Sequence, residues 1–136
     1  MLGIDSNILL RILMMDTPGS HEAPHQFELV KEVVVESKDV FFVNHVVIAE
    51  TIWILRQKLK YSKEAIAGAV NRLLHMSDVV VYNATGVAAA LESFVQYPGD
   101  FSDHLIGEIN KQNGCRTTLT FDKAASRSPQ FSELQR

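Results

Sequence analysis

The residues most able to do chemistry in this chain are acids standing at the ends of short apolar runs. Asp5 follows LGI, Glu50 lies within VVIAETIWIL, Asp100 and Asp103 fall in QYPGDFSDHLIGEIN, and Asp122 follows CRTTLTF. Each has an ordinary structural use. Asp5 or Ser6 can accept a bond from the free N–H groups of a following helix, Asp122 can brace a turn in FDK, and Asp100 with Asp103 has the spacing of a capping box. Glu50 is harder to place in that way. Its neighbours at i−4, i−3, i+3 and i+4 are Val46, Val47, Trp53 and Ile54, which predicts a carboxylate inside an apolar stripe. A lone buried carboxylate is costly unless it is protonated, paired or bound to a cation. Pairing with Arg11, Arg56 or a backbone donor is one remedy, and convergence with other acids on a metal is the other.

The elements that must position these acids are legible as alternating strands and helices. LGID (residues 2–5) reads as a strand and SNILLRILM as a helix; TPGS (17–20) punctuates, and a second helix spans residues 21–37. DVFFV (39–43) is a strand. A helix from the N-cap Asn44, another from Ser62, a strand DVVVY (78–82), a helix over 84–96, one from about Ser102, and a strand over 115–121 complete the pattern. The polar tail from Ala124 has Phe131 and Leu134 as docking points. Apolar strands alternating with helices predict one α/β domain over residues 1–136, a three-layer α/β/α sandwich around a central parallel sheet. In such sheets ligands sit at the carboxyl ends of the strands, which is where Asp5 and Asp122 fall.

Bulk properties narrow the partners. The chain has 136 residues, net charge −3 and pI near 5.9, so no overall basic field holds nucleic acid. A phosphate substrate then needs local cations, for which Arg11, Arg56, Lys58, Lys60, Lys63 and Arg72 are candidates, although solvating roles are the commoner use of such residues. No apolar run reaches the ~18 residues of a membrane span, and the N-terminus lacks the basic start and small-residue cleavage site of a signal peptide. One cysteine, Cys115, excludes an internal disulfide and a cysteine zinc cluster, predicting a reducing, cytoplasmic setting. His21, His25, His45, His75 and His104 have no zinc-hydrolase spacing. His104 is expected on a helix surface and Trp53 in the core.

The stretches GIDSNILLR, VVIAETIWIL, DFSDHLI and TLTFDK, in this order, resemble the four acidic motifs of PIN-domain ribonucleases, and most closely the VapC-type toxins of toxin–antitoxin pairs. The resemblance runs from Leu2 to Asp122. It implies a catalytic cluster of Asp5, Glu50, Asp103 and Asp122, with Asp5 and Asp103 as metal ligands and Ser6, Asn7, Asp100 and Thr120 in support. Arg11 is assigned to substrate. Crowded carboxylates repel one another unless a divalent cation neutralises them, and oxygen-only donors favour Mg²⁺ or Mn²⁺. The resemblance further implies RNA hydrolysis leaving 5′-phosphate and 3′-hydroxyl ends, a homodimer, and a cognate antitoxin whose C-terminal segment blocks the groove.

Two other classes compete with this reading. One is a catalytically inert PIN-like binding or regulatory domain in which the acids are caps and surface groups. The other is a phosphotransfer domain, disfavoured because Asn7 stands where a dehalogenase-like phosphatase needs its second Asp and Asn44 where a receiver needs its phosphoacceptor.

Overall fold

A computed structural model describes residues 1–14 and 24–135. The TPGS turn and His21 lie outside the described residues. Strand β1 (Leu2–Gly3) is followed by helices α1 (Ser6–Met14) and α2 (Pro24–Glu36), strand β2 (Phe41–Val43), helix α3 (His45–Trp53), helix α4 (Lys63–Leu74) and strand β3 (Val79–Val81). Helices α5 (Ala84–Gln96) and α6 (Phe101–Gln112) and strands β4 (Thr118–Thr120) and β5 (Phe131–Glu133) complete the chain.

The helix starts expected from sequence are capped as their residue types dictate. Asn44 accepts from Val46 N at 2.8 Å and Ser62 accepts from Ala65 N at 3.1 Å. Helix α3 does not stop at Trp53. It widens into a π-helical turn (Ile54–Lys58), with Leu59 N donating to Ile54 O at 3.1 Å, and ends where Lys60 takes a left-handed φ of 58°.

The architecture is α/β with a central parallel sheet. Strands β1, β2 and β3 pair in parallel in that order, with Leu2 opposite Phe41 and Phe41 opposite Val79. Strand β4 pairs in parallel with β5, Thr118 opposite Phe131. The strands are shorter than expected, and β5 is a pairing that the polar tail does not announce. The strands are also not buried on both faces, because Val80 and Leu119, the middle residues of β3 and β4, are exposed. No helix among the described residues is long and apolar enough to cross a membrane.

The core is built mainly by helices against β2. Leu9, Val43, Ile48, Ile52, Ile66, Val70, Val87 and Phe94 meet in it. Phe94 is its hinge: the ring packs edge-on against Phe101 at 5.9 Å and lies 4.8 Å from the Lys63 ammonium. Helices α5 and α6 pack as a hairpin around it, and the second arm carries Asp100 and Asp103 to one end of the molecule. Replacing a fully buried Phe by Ala commonly costs about 3–5 kcal/mol, whereas an exposed side chain changes stability by less than about 0.5 kcal/mol. Urea melts of Phe94→Ala and Leu119→Ala should therefore separate by at least about 2 kcal/mol.

Candidate active site

The first group of candidate residues joins α1 to α3. Asp5 caps α1, its Oδ1 accepting from Ile8 N at 3.3 Å while its carbonyl accepts from Leu9 N at 3.0 Å. The Ser6 hydroxyl donates to Glu50 Oε2 at 3.2 Å, and Thr51 Oγ1 donates to the carbonyls of Val47 (2.7 Å) and Ser6 (3.4 Å). Two hydrogen bonds thus tie the start of α1 to the middle of α3, and Glu50 is one of the knots.

Glu50 is exposed, contrary to the buried position expected for it. Two of the four apolar neighbours that suggested burial are themselves on the surface, Val46 at 54% and Trp53 at 49% exposure, and the other two, Val47 and Ile54, are half-buried. Val46, Trp53 and Ile54 form the wall of an open groove of about 430 Å³ that Glu50, Lys58 and Ser102 also line. Trp53 is therefore not a core residue.

The second group lies at the start of α6 and after β4. Asp100 is the N-cap residue, and Asp103 Oδ2 accepts from Asp100 N at 3.3 Å, as the capping box requires. Gly99, with φ of 111°, makes the turn that leads into this cap. A Cβ placed there would stand 3.5 Å from His104 Nε2 and 3.8 Å from Ala125 Cα, so the turn packs against the segment that carries Asp122. Asp122 Oδ1 accepts from Ala124 N (2.8 Å) and Ala125 N (3.2 Å), and Thr120 Oγ1 accepts from Asp122 N at 3.0 Å. Thr120 thus orients the backbone of the acid it precedes.

Burial holds the Asp103 carboxyl above the ordinary aspartate range, and the charges of Asp100 and Asp122 push the same way against the N–H of Asp100 and His104. Asp122 is close enough for its charge to be felt. None of Asp5, Glu50, Asp103 or Asp122 makes an ion pair with Lys or Arg among the described residues. Each also keeps one carboxylate oxygen free of hydrogen bonds to the described residues.

His104, expected on a surface, has 0% exposure. Its Nε2 lies 3.1 Å from Pro98 O, its ring meets Phe94 edge-on at 6.5 Å, and Nδ1 is buried with no hydrogen-bond partner among the described residues. Phe101, His104, Leu105 and Glu108 are the buried face of α6, an i, i+3, i+4, i+7 pattern that its polar members hide from a hydropathy reading. Glu108, likewise buried, is bonded by Gln130 Nε2 from the turn before β5.

The sequence matches the PIN domain family over residues 3–129. The chain belongs to the PIN domain family. No curated protein sequence matches it. Among solved structures it is similar to Mycobacterium tuberculosis VapC20, a sarcin-ricin loop cleaving toxin, at 18% identity over 100% of both chains with a TM-score of 0.45.

In this PIN domain the four-carboxylate crowd expected from the sequence is not assembled. Among the described residues no three His, Cys, Asp or Glu side chains are grouped to hold one metal ion. Instead the structure has two subsets, Asp5 with Glu50 through Ser6, and Asp103 with Asp122 through their charges. The donor set nevertheless suits a hard divalent cation by type, since every free donor is a carboxylate oxygen.

Several of the cations in the first half of the chain are committed to the fold. Lys63 and Arg56 spend their donors on backbone carbonyls, and Arg11 donates to Asn7 O at 2.9 Å and to Gln26 Oε1 while lying 5.6 Å from the Phe27 ring centre. Arg11 still shares a cavity of about 380 Å³ with Asp5 and Asn7.

Burial pushes the His104 ring below its ordinary pKa, and the nearby Lys63 charge adds to this against Pro98 O and Asp103. The packed state accepts the neutral ring, so acidification loads the proton onto the unfolded chain first and stability falls. Asp103 acts in the opposite sense, gaining its proton in the folded state as pH enters the carboxylate range. Between about pH 7.5 and pH 5.5 the histidine effect dominates. The melting temperature should fall over that window, and fall less steeply in His104→Gln; equal slopes in the two proteins would remove His104 as the cause.

Proposed function

We propose that this PIN domain is a metal-dependent endoribonuclease that hydrolyses RNA phosphodiesters, the toxin of a VapC-type toxin–antitoxin pair. The observation that supports this best is the fate of the acids. Asp5, Glu50, Asp103 and Asp122 come from separate elements, none is neutralised by a Lys or Arg among the described residues, and each holds an oxygen in reserve.

Asp5 and Asp103 would hold Mg²⁺ or Mn²⁺. When bound, the ion lowers the pKa of an attacking water and offsets charge on the phosphate oxygens. The chain's own residues set the geometry. Ser6 fixes Glu50 through its Oε2, leaving Oε1 to orient water or accept its proton, and Asp122 has the same capacity through its unbonded oxygen. Asn7 and Arg11 line the cavity beside Asp5, where Arg11 receives a phosphate. Displacement by water leaves 5′-phosphate and 3′-hydroxyl ends on a structured RNA such as tRNA or ribosomal RNA. The working form is a cytoplasmic homodimer, held inactive by an antitoxin whose C-terminal segment places an Arg against the acids.

A specific observation favours a second reading. Asp5 and Asp103 serve helix caps and Asp122 braces a turn, which is all an inert binding domain of this family would ask of them. Asn in place of Asp keeps the capping acceptor and removes only the charge, so the two readings separate cleanly. With Mg²⁺ or Mn²⁺ the purified protein should cleave total RNA, and Asp103→Asn or EDTA should reduce the rate by roughly 100- to 1,000-fold. Cleavage that survives Asp103→Asn would put the site elsewhere. Mn²⁺ at ~100 times its dissociation constant should stabilise the wild type by about 2.7 kcal/mol and Asp5→Asn by much less. If Mn²⁺ leaves the wild-type melt unchanged, the inert reading stands.

A further inference from the structure

Trp53 is a large aromatic residue left half exposed one helical turn beyond Glu50, on the wall of a groove of about 430 Å³. Val46, also exposed, shares that wall, and apolar surface gathered in a groove marks a contact site. The groove has a mixed lining. Lys58 supplies a positive charge, its Nζ 5.7 Å from the Trp53 ring centre, and Ser102, beside the Asp103 cap, supplies a hydroxyl. Glu50 stands on the same wall, so the groove is continuous with the candidate active site.

An aromatic face, a cation within reach of it and a hydroxyl match the needs of one ligand class, a nucleobase carried on a phosphate backbone. We propose that Trp53 is the stacking platform for an unpaired base of the RNA, with Lys58 taking the phosphate beside it, so that the strand is registered against Glu50. The inference rests on the ribonuclease reading and specifies the substrate: the cut falls in a single-stranded or extruded stretch, because a base inside a duplex has no free face to offer. Trp53 touches the base and not the reacting phosphate, which makes it a binding residue whose loss is felt in KM.

The chain has one tryptophan, so its emission reports this position alone. A mixed-sequence single-stranded oligoribonucleotide, titrated with Mg²⁺ into the Asp103→Asn protein, should quench that emission. An abasic oligomer of equal length should leave it unchanged. In the same background, Trp53→Leu should weaken binding of the labelled oligomer by about 5- to 150-fold, whereas Trp53→Phe stays within about threefold. In the otherwise wild-type enzyme Trp53→Leu should raise KM and leave kcat in place. Because the ring is half exposed, the circular dichroism spectrum of Trp53→Leu should match the parent, and Trp53→Phe carries the comparison if it does not.

Unchanged emission with RNA, equal quenching by the abasic oligomer, or full affinity in Trp53→Leu would overturn the proposal. So would emission that shifts with protein concentration alone, which would assign the ring to a second copy of the chain. The two readings fail separately. Metal-dependent cleavage with an unchanged KM in Trp53→Leu removes the stacking platform and leaves the nuclease, while quenching by RNA without cleavage under Mg²⁺ or Mn²⁺ does the reverse.

Discussion

The last turn of an α-helix leaves carbonyl groups with no helical partner, and at the end of α5 Lys63 takes two carbonyls. Its Nζ donates to Phe94 O at 2.8 Å and to Tyr97 O at 3.0 Å, with the Phe94 ring under the ammonium. Cations are favoured at that end of a helix dipole. The group is partly withdrawn from water, so burial lowers its pKa, with the Arg56 charge adding to the effect and Asp100 opposing it. The desolvation is offset because the donors are used. The consequence of this one contact is positional: it fixes the end of α5, the Pro98–Gly99 turn comes next, and Asp100 and Asp103 begin α6 within six residues of Tyr97. His104, bonded to Pro98 O and packed on Phe94, closes the same turn from beneath.

A carboxylate that caps a helix has its rotamer chosen for it. That is the condition a metal or water ligand needs, since a site is effective only when its side chains are held by a supporting shell. Asp5, Asp103 and Asp122 each spend one oxygen on backbone N–H groups and keep the other free of hydrogen bonds to the described residues. The capping use of these acids is therefore compatible with the proposed metal-binding one. Ser6 does for Glu50 what the backbone does for the aspartates, with a side-chain hydroxyl in place of an N–H.

Caps and helical periods are the most readable features of the sequence because they are local: Asn44, Ser62 and Asp100 each act within a turn of themselves. Burial is less readable. Apolar helical neighbours suggest a core around Glu50, but periodicity identifies a face and not what covers it. His104 misleads in the opposite direction. Its face of α6 includes Glu108, and two polar side chains among four conceal the stripe. Strand β5 escapes a local reading because its pairing partners in β4 lie thirteen residues upstream, and only long-range pairing makes an isolated FSE a strand.

The contact between Trp53 and Lys58 has a cause that sequence patterns do not carry. In an α-turn, residues i and i+4 share a face, so Trp53 would look toward Gln57. A π-turn bonds i to i+5, adding a residue to the turn and bringing i and i+5 together. Residues 54–58 make such a turn, and two i+5 contacts accompany it: Lys58 reaches the Trp53 ring, and Arg56 Nη1 donates to Tyr61 O at 3.0 Å. The extra residue shifts the helix phase by about 100°, the angle of one residue, from the end of the turn onward. Leu55 stays on the buried face of Ile48 and Ile52, seven and three residues before it, while Lys58 lines the groove that holds Glu50. The widened turn thus sets Lys58 against the Trp53 ring, and Lys58 is paired to none of the four acids among the described residues.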